Sequence, residues 1–366
     1  MRRIFPLLLV VMGFELALSG CSSWSYYRQA AAGQWRLLQA SRPVADVLAD
    51  PATPPPLRRQ LELARELRAF ASRDLALPDN ASYRGYADLR RPYAVRNVFA
   101  APELSLEPRQ WCFWLVGCLN YRGYFEAKGA EQLAAALRAE GDDVYVADIP
   151  AYSTLGWFGD PLLNTFIHWP TGRLAELLFH ELAHQRVYVA DDSAFNEAFA
   201  TTVGRLGAQR WLERRGSATE HAQFLSDQRK RQAFFGLTTI ARERLATVYA
   251  SSRPDAEKRT EKQRVLAELR GDYQTLWRAW GDRASDDRRF ARDLNNARLA
   301  GISTYQQWVP AFEALFERAG RDFAAFYRAV EALGSEPPAR REARLRALLR
   351  DGDPSMLARD VPAPSG

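Results

Sequence analysis

Two histidines and two glutamates in the stretch FHELAHQRVYVADDSAFNE have the types and spacing of a metal site. His180 and His184 are four residues apart, so on a helix their imidazoles share one face and can bind the same ion. Glu181 lies on the adjacent side of that turn, where its carboxylate can reach a metal-bound water instead of the metal. Glu197 follows thirteen residues after His184 and is the third candidate ligand. Two histidines and one glutamate suit Zn2+ and leave a fourth position open for water or substrate, as a catalytic site requires.

Two helices are needed to bring these groups together. Apolar residues at helical spacing in TGRLAELLFHELAHQRVYV predict a first helix over about residues 171–189. After a reversal at ADD, a second helix is predicted over about residues 193–213, with Ser193 or Asp192 as its N-cap. The alternative is a helix pair whose polar residues are satisfied by their neighbours, without an ion. The correct third ligand and a predicted helix at both places favour the metal site.

At these residues the chain resembles the gluzincin metallopeptidases, and more closely a family of predicted zinc aminopeptidases found as bacterial lipoproteins. The resemblance extends over about residues 24–335, well beyond the histidine helix. The similar segments are YAVRNVFAAPELSLEP, WCFWLVGCLNYRGYF, DVYVADIPAYSTLGWFGDPLLNTF and NNARLAGISTYQQWVPAFEALF. The resemblance implies that His180, His184 and Glu197 bind zinc and that Glu181 is the general base.

The residue that supports a ligand histidine in the similar enzymes is replaced in this sequence. Other gluzincins often carry an acid one turn after the third ligand, where it braces a histidine. Thr201 occupies that position here, so the support must come from another residue. Asp191 and Asp192 are the candidates.

A peptidase also needs a hydrogen-bond donor for the oxyanion that develops beside the metal. Tyr152 follows a predicted strand just before the histidine helix, and Tyr305 lies downstream, where similar enzymes often place a catalytic tyrosine. Both are candidate catalytic residues, and packing is the alternative for each. His168 is a further candidate for the oxyanion and Arg122 for a substrate carboxylate, while His221 has no assigned role. A surface or hydrogen-bonded position is the alternative for the two histidines, and closing the loop after the cysteine pair is the alternative for Arg122.

The kind of peptidase is left open by the sequence. An aminopeptidase must hold the free ammonium of its substrate with a carboxylate near the metal. The Gly-x-Met-Glu-Asn stretch that serves this purpose in well-known gluzincin aminopeptidases is not found in residues 80–180. Asp148, Asp160 or Glu176 could substitute for it, although Asp160 in WFGDP could equally shape a turn. Aminopeptidase action is therefore expected over endopeptidase action only because of the family resemblance.

The N-terminus is expected to carry an export signal. The stretch MRRIFPLLLVVMGFELALSGC has two arginines, an apolar run too short for a comfortable membrane span, and small residues before Cys21. Its end, LSGC, resembles the lipobox of bacterial lipoproteins, so residues 1–20 are expected to be removed and Cys21 to be lipidated. Ser22 in place of an aspartate favours the outer membrane, with the protein facing the periplasm. The alternative is an ordinary secretory signal with an incidental cysteine.

Cys112 and Cys118 are the cysteines that remain after such cleavage. In an oxidising periplasm they are expected to form a small-loop disulfide, with a metal-binding thiolate pair as the alternative. The net charge is +6, and many of the arginines lie on helical segments rather than in one block. Because no basic cluster is visible, the expected partners are a peptide substrate and, through the lipid anchor, the membrane, but not nucleic acid.

The fold class expected for these 366 residues is α+β. It is a mainly helical, zincin-like metallopeptidase with a small sheet and a helical C-terminal extension. Strands are predicted in YAVRNVFAA, YRGYFEA and DVYVADIPAYST, and a long helical hairpin around Ser252-Arg253-Pro254. The predicted regions are the signal peptide at 1–20, an anchored linker with helices at 21–55, the catalytic region at 56–215, a helical region at 216–350 and a disordered tail at 351–366.

The sequence therefore predicts a zinc-dependent peptidase. The alternative is a non-catalytic envelope adaptor or chaperone-like lipoprotein, in which the zinc site is structural or vestigial. Glu181 discriminates between the two, because a purely structural site does not need a base at that position.

Overall fold

The computed structural model describes residues 25–113, 117–280, 293–304 and 307–351. Cys21, Tyr305, the predicted signal peptide and residues 352–366 of the predicted tail lie outside the described residues. The described helices are α1 (25–40), α2 (Val44–Ala49), α3 (Pro55–Asp74), α4 (Ala127–Ala139), α5 (Thr171–His184), α6 (Ser193–Arg215), α7 (Ala218–Ala250), α8 (Asp255–Ala279), α9 (Asn296–Thr304), α10 (Val309–Arg318), α11 (Phe323–Gly334) and α12 (Pro338–Asp351). The described strands are β1 (Arg42–Pro43), β2 (Gly85–Ala87), β3 (Val95–Pro102), β4 (Trp111–Phe113), β5 (Gly117–Leu119), β6 (Arg122–Tyr124), β7 (Asp142–Ile149) and β8 (Leu162–Leu163). The prediction of a mainly helical α+β fold is confirmed.

A three-stranded antiparallel sheet of order β6-β3-β7 is the largest continuous pairing in the β part. Side chains alternate between its two faces, as the pleat of a strand requires. Val98 and Ala100 of β3 pack under α4, whereas Phe99 and Ala101 face the opposite side, toward Ala297 of α9. The strands predicted in YAVRNVFAA, YRGYFEA and DVYVADIPAYST are confirmed as β3, β6 and β7.

A long helical hairpin, formed by α7 and α8, follows the histidine helices. It begins with a capping box in which Ser217 and Glu220 each accept the other's backbone N–H. The break falls before Pro254, which is the N-cap of α8, because proline cannot continue the preceding helix. Leu245 of α7 packs with Leu266 and other apolar residues of α8 in a second core, to which Leu299 of α9 also contributes. The predicted hairpin is confirmed.

The main apolar core joins α1–α3, α5, α6 and α10–α12. It contains an aromatic cluster between α6, α10 and α11, formed by Phe195, Phe199, Phe312, Phe326 and Tyr327. Because this cluster packs against α6, elements from both ends of the described chain hold in place the helix that carries Glu197. None of the described helices has both the length and the apolar character needed to span a bilayer.

Candidate metal centre

The two helices predicted to carry the ligands, α5 and α6, pack directly against each other. The close approach is made at Gly204 of α6. A β-carbon there would lie 2.6 Å from the carbonyl oxygen of Glu176 and 3.2 Å from Cβ of His180. The missing side chain at Gly204 therefore lets α6 lie against the histidine helix at the level of the first ligand.

Replacing Gly204 with alanine is expected to lower the free energy of unfolding by about 1–3 kcal/mol, because α6 must move away from the backbone of α5. The matched control is Gly236→Ala on the exposed side of α7, where a β-carbon meets nothing within 4 Å. That control is expected to raise the free energy of unfolding by about 0.5–1 kcal/mol through the unfolded state. Urea denaturation measures both changes. If Gly204→Ala matched the control, the close packing of the two helices would be contradicted.

The turn between the ligand helices explains why α5 ends at His184, earlier than predicted. The chain has to reverse there to bring α6 back along α5, and Asp191 adopts a left-handed φ of 64°. The side chain of Asn196 holds the reversal by accepting the N–H of Val189 at 2.8 Å and donating to its carbonyl at 2.7 Å. Asn196 is buried and directly precedes Glu197, so the same clamp fixes the third candidate ligand.

Asp191 and Asp192 secure this turn. Asp191 accepts the backbone N–H of Cys118 at 2.8 Å. Asp192 is the N-cap of α6, as predicted, accepting the N–H of Phe195 at 3.0 Å, and it pairs with Arg341 at 2.7 Å. The prediction that one of them braces a ligand histidine is wrong, because both carboxylates are used by the turn.

A disulfide between Cys112 and Cys118 closes the β4–β5 hairpin, in which the two residues are direct partners across the strands. Gly117 has a φ of +75° and lies so close to Asp191 that a side chain would collide with it. The hairpin therefore packs against the turn between the ligand helices and is tied to it by the Asp191 hydrogen bond.

His180, His184 and Glu197 converge on one point, as predicted from their spacing. The two Nε2 atoms are 3.1 Å apart, and Oε2 of Glu197 lies 3.4 Å from Nε2 of His180 and 3.7 Å from Nε2 of His184. The imidazole planes are nearly perpendicular, at 86°. Within the described residues, the buried Nδ1 of His184 has no hydrogen-bond partner, so the polar contacts of this ring are made by its Nε2.

These separations fit a tetrahedral zinc ion. Bonds of about 2.0–2.1 Å to nitrogen and oxygen ligands place any two ligand atoms about 3.3–3.4 Å apart. The three observed distances, 3.1, 3.4 and 3.7 Å, bracket that value. Two imidazoles with a carboxylate are also a donor set that zinc accepts, and three protein ligands leave the fourth position open. The cluster could hold a metal ion.

The electrostatics of the cluster favour a cation. Burial opposes ionisation of Glu197, yet the charge of His184 and the hydrogen bond from His180 lower the pKa of Glu197 to about 2. Burial alone would lower the pKa of His180, but the hydrogen bond to Glu197 and the charge of Glu181 raise it. The carboxylate is thus ionised at neutral pH, which is the form that binds a metal.

The cluster opens into a cleft of about 1400 Å³. α5 and α6 form one wall, one face of the β6-β3-β7 sheet a second, and the α7–α8 hairpin a third, with Phe234 and Trp277. Tyr26 and Tyr27 of α1 close one side. Glu181 also lines this cleft while remaining outside the three-residue cluster, which is the arrangement predicted for a general base.

Several tyrosines line the cleft, and two of them, Tyr121 and Tyr188, lie within reach of the charge of Glu197 but were not predicted as oxyanion donors. Burial and the charge of Glu197 raise the pKa of Tyr121 well above its ordinary value, and they raise the pKa of Tyr188 as well. The predicted candidate Tyr152 also lines the cleft; it is 37% exposed and packs edge-on against Phe125. Tyr188 is four residues after His184, a spacing that could have drawn attention to it.

Of the remaining predicted candidates that lie within the described residues, Glu176 alone lines the cleft. Arg122 stacks on the ring of Tyr26 at 4.2 Å. Asp148 pairs with Arg96 at the surface, and Asp160 is buried and accepts hydrogen bonds from Thr154. Burial raises the pKa of Asp160 to about 6, against the effect of those hydrogen bonds. His168 and His221 are not among the residues that line the cleft, whereas Glu176 is.

Comparison with known proteins identifies a family for the chain. A family model described as "Putative aminopeptidase" matches residues 25–345. No curated protein and no solved structure matches the chain. Because the matched range covers most of the sequence, including every residue of the candidate metal centre, the chain belongs to this family.

Proposed function

We propose that the chain is a zinc-dependent metallopeptidase of the zincin type, with aminopeptidase action favoured. The observation that carries the proposal is the position of Glu181, inside the cleft onto which the three-ligand cluster opens but outside the cluster itself. A purely structural zinc site uses four protein ligands and needs no carboxylate beside them. The family match supports a peptidase.

The side chains of the cleft can perform the steps of peptide hydrolysis. Zinc bound to the cluster would polarise the scissile carbonyl and lower the pKa of its water to about 7. Glu181 accepts the proton that the attacking water loses and returns it to the leaving amine. The hydroxyls of Tyr121, Tyr152 and Tyr188 are the candidate donors for the developing oxyanion, because these side chains line the cleft and a phenol is protonated at neutral pH.

The proposal includes a place in the cell. The LSGC sequence before Ser22 supports lipidation of Cys21 and an outer-membrane position facing the periplasm. The Cys112–Cys118 disulfide suits that oxidising compartment. A peptide in the periplasm is then the substrate, and the lipid anchor is the contact with the membrane.

A peptide-library digest tests this function. The full chain, purified in detergent, is stripped of metal by a chelator and divided, and zinc is restored to one half. We expect cleavage only in the zinc-restored half, with mass spectrometry showing new product termini. Zinc-loaded chain that cleaves nothing in a diverse library would contradict the peptidase and favour a non-catalytic envelope adaptor.

A further inference from the structure

An ion pair between the histidine helix and the α7–α8 hairpin lies within the cleft. Oε2 of Glu176 on α5 accepts a hydrogen bond from a guanidinium nitrogen of Arg231 on α7, at 2.8 Å. Both side chains line the cleft, and they keep 18% and 35% of their surface exposed. The pair is therefore accessible to a molecule bound in the cleft.

The position of Glu176 is fixed relative to the metal cluster. It lies one helical turn before His180 on the same face of α5, about 6 Å along the axis. Gly204 packs against both residues, which holds their spacing. The ammonium nitrogen of a peptide's first residue is only two bonds from the carbonyl carbon that is attacked. A carboxylate that holds this ammonium must therefore lie within about one helical turn of the metal ligands, as Glu176 does.

We infer that Glu176 binds the free α-ammonium of the substrate. In the free protein, Arg231 pairs with this carboxylate in the place of the ammonium. The inference rests on the proposed peptidase function and identifies the substrates as peptides with a free N-terminus. The ammonium replaces a guanidinium of the same charge, so the net charge around Glu176 is unchanged when the exchange is complete.

When the ammonium displaces Arg231, the guanidinium has another carboxylate and a neighbouring cavity within reach. Asp227 lies one turn earlier on α7, at the spacing that favours an ion pair along a helix, and it also lines the cleft. A second cavity of about 310 Å³ adjoins the pair and is lined by both of its members together with Gln228 and Phe235. The long arginine side chain can withdraw into this space while remaining near a carboxylate.

The opposite exchange, in which a substrate carboxylate takes Arg231 from Glu176, is disfavoured. Glu176 is the shorter side chain, and its backbone is packed against Gly204. Arg205, the other cation that lines the adjoining cavity, already pairs with Glu313 at 3.2 Å. The exchange would separate Glu176, a partly buried charge, from the partner that it has in the structure, which is costly. The geometry therefore favours an ammonium.

Steady-state kinetics with two peptides that differ only in N-terminal acetylation tests the role of Glu176. For the full zinc-loaded chain, acetylation is expected to lower kcat/KM roughly tenfold to a hundredfold, the value of charge-assisted hydrogen bonds. In Glu176→Gln this ratio is expected to fall close to one, because only the free peptide loses an interaction. The control is Glu62→Gln on the exposed side of α3, which keeps the ratio. A ratio in Glu176→Gln equal to that of the unmodified chain would overturn the inference.

The direction in which KM changes in the Arg231→Gln variant is an independent test. If Arg231 competes with the ammonium, its removal lowers KM for the peptide with a free N-terminus by severalfold. If Arg231 binds a substrate carboxylate instead, KM rises, and amidation of the substrate's C-terminus no longer matters in the variant. The second result would overturn the inference.

A binding measurement separates this inference from the peptidase proposal. Leucinamide and N-acetyl-leucinamide are titrated into the Glu181→Gln chain by calorimetry, so that no turnover is needed. We expect leucinamide to bind more tightly, and Glu176→Gln in the same background to remove the difference. Equal binding of the two amides would overturn the ammonium site even if the chain cleaves peptides. Selective binding would stand even if no peptide were cleaved.

Discussion

Replacing Glu181 with glutamine is expected to lower kcat by about 10²–10⁴-fold, the range that a positioned general base contributes. The amide is nearly the same size as the carboxylate, but it cannot accept the proton that the attacking water loses. His180, His184 and Glu197 are untouched, and their mutual distances do not involve this side chain. Turnover is measured on the best peptide from the library digest, at saturating substrate and with one zinc per chain.

The zinc content of each variant decides how a loss of turnover is interpreted. Glu181→Gln is expected to keep the zinc content of the unmodified chain, because Glu181 lies outside the three-residue cluster. Glu62→Gln makes the same chemical change on an exposed face of α3 and is expected to keep full turnover. A Glu181→Gln chain that loaded zinc normally and retained wild-type turnover would remove the general-base assignment.

The candidate ligands could be predicted from the sequence because their arrangement follows from local periodicity. His180 and His184 share a face by the spacing of the α-helix alone, and the reversal before α6 is marked by the Asp192 cap. Glu197 then needs only that α6 return along α5, which a short connection enforces. The strands and the α7–α8 hairpin could be predicted for the same reason, since each is marked by its own residue pattern.

The remainder of the site depends on contacts between residues far apart in the sequence. Arg231 reaches Glu176 because the α7–α8 hairpin lies across the cleft, and no local pattern on α7 specifies that placement. Tyr121 follows the disulfide-closed hairpin, which is tied to the turn after α5, and it is close enough to feel the charge of Glu197. The early end of α5 also escaped prediction, because the clamp by Asn196 is a tertiary feature of the turn and overrides helical periodicity.

Replacing His184 with alanine is expected to reduce bound zinc from about one ion per chain to less than about a tenth of that. The variant loses one of three protein ligands, and the two that remain are 3.4 Å apart with no described side chain positioned to replace the third. Zinc is measured by elemental analysis after dialysis of the full chain against a weak chelator. Added zinc should also raise the melting temperature of the unmodified chain, because binding to the folded state alone stabilises it by about 2.7 kcal/mol at a hundredfold excess over Kd.

The melting experiment distinguishes a lost ligand from a damaged fold. Without metal, His184→Ala leaves Glu197 with one imidazole neighbour instead of two, so some loss of stability is expected in the metal-free variant itself. The decisive quantity is therefore the zinc-induced shift within each chain: large in the unmodified chain, absent in His184→Ala. His168→Ala, which removes an exposed histidine outside the cluster, should keep both the zinc content and the shift. Equal zinc content in the His184→Ala and His168→Ala chains would contradict a metal centre at this site and, with it, the metallopeptidase.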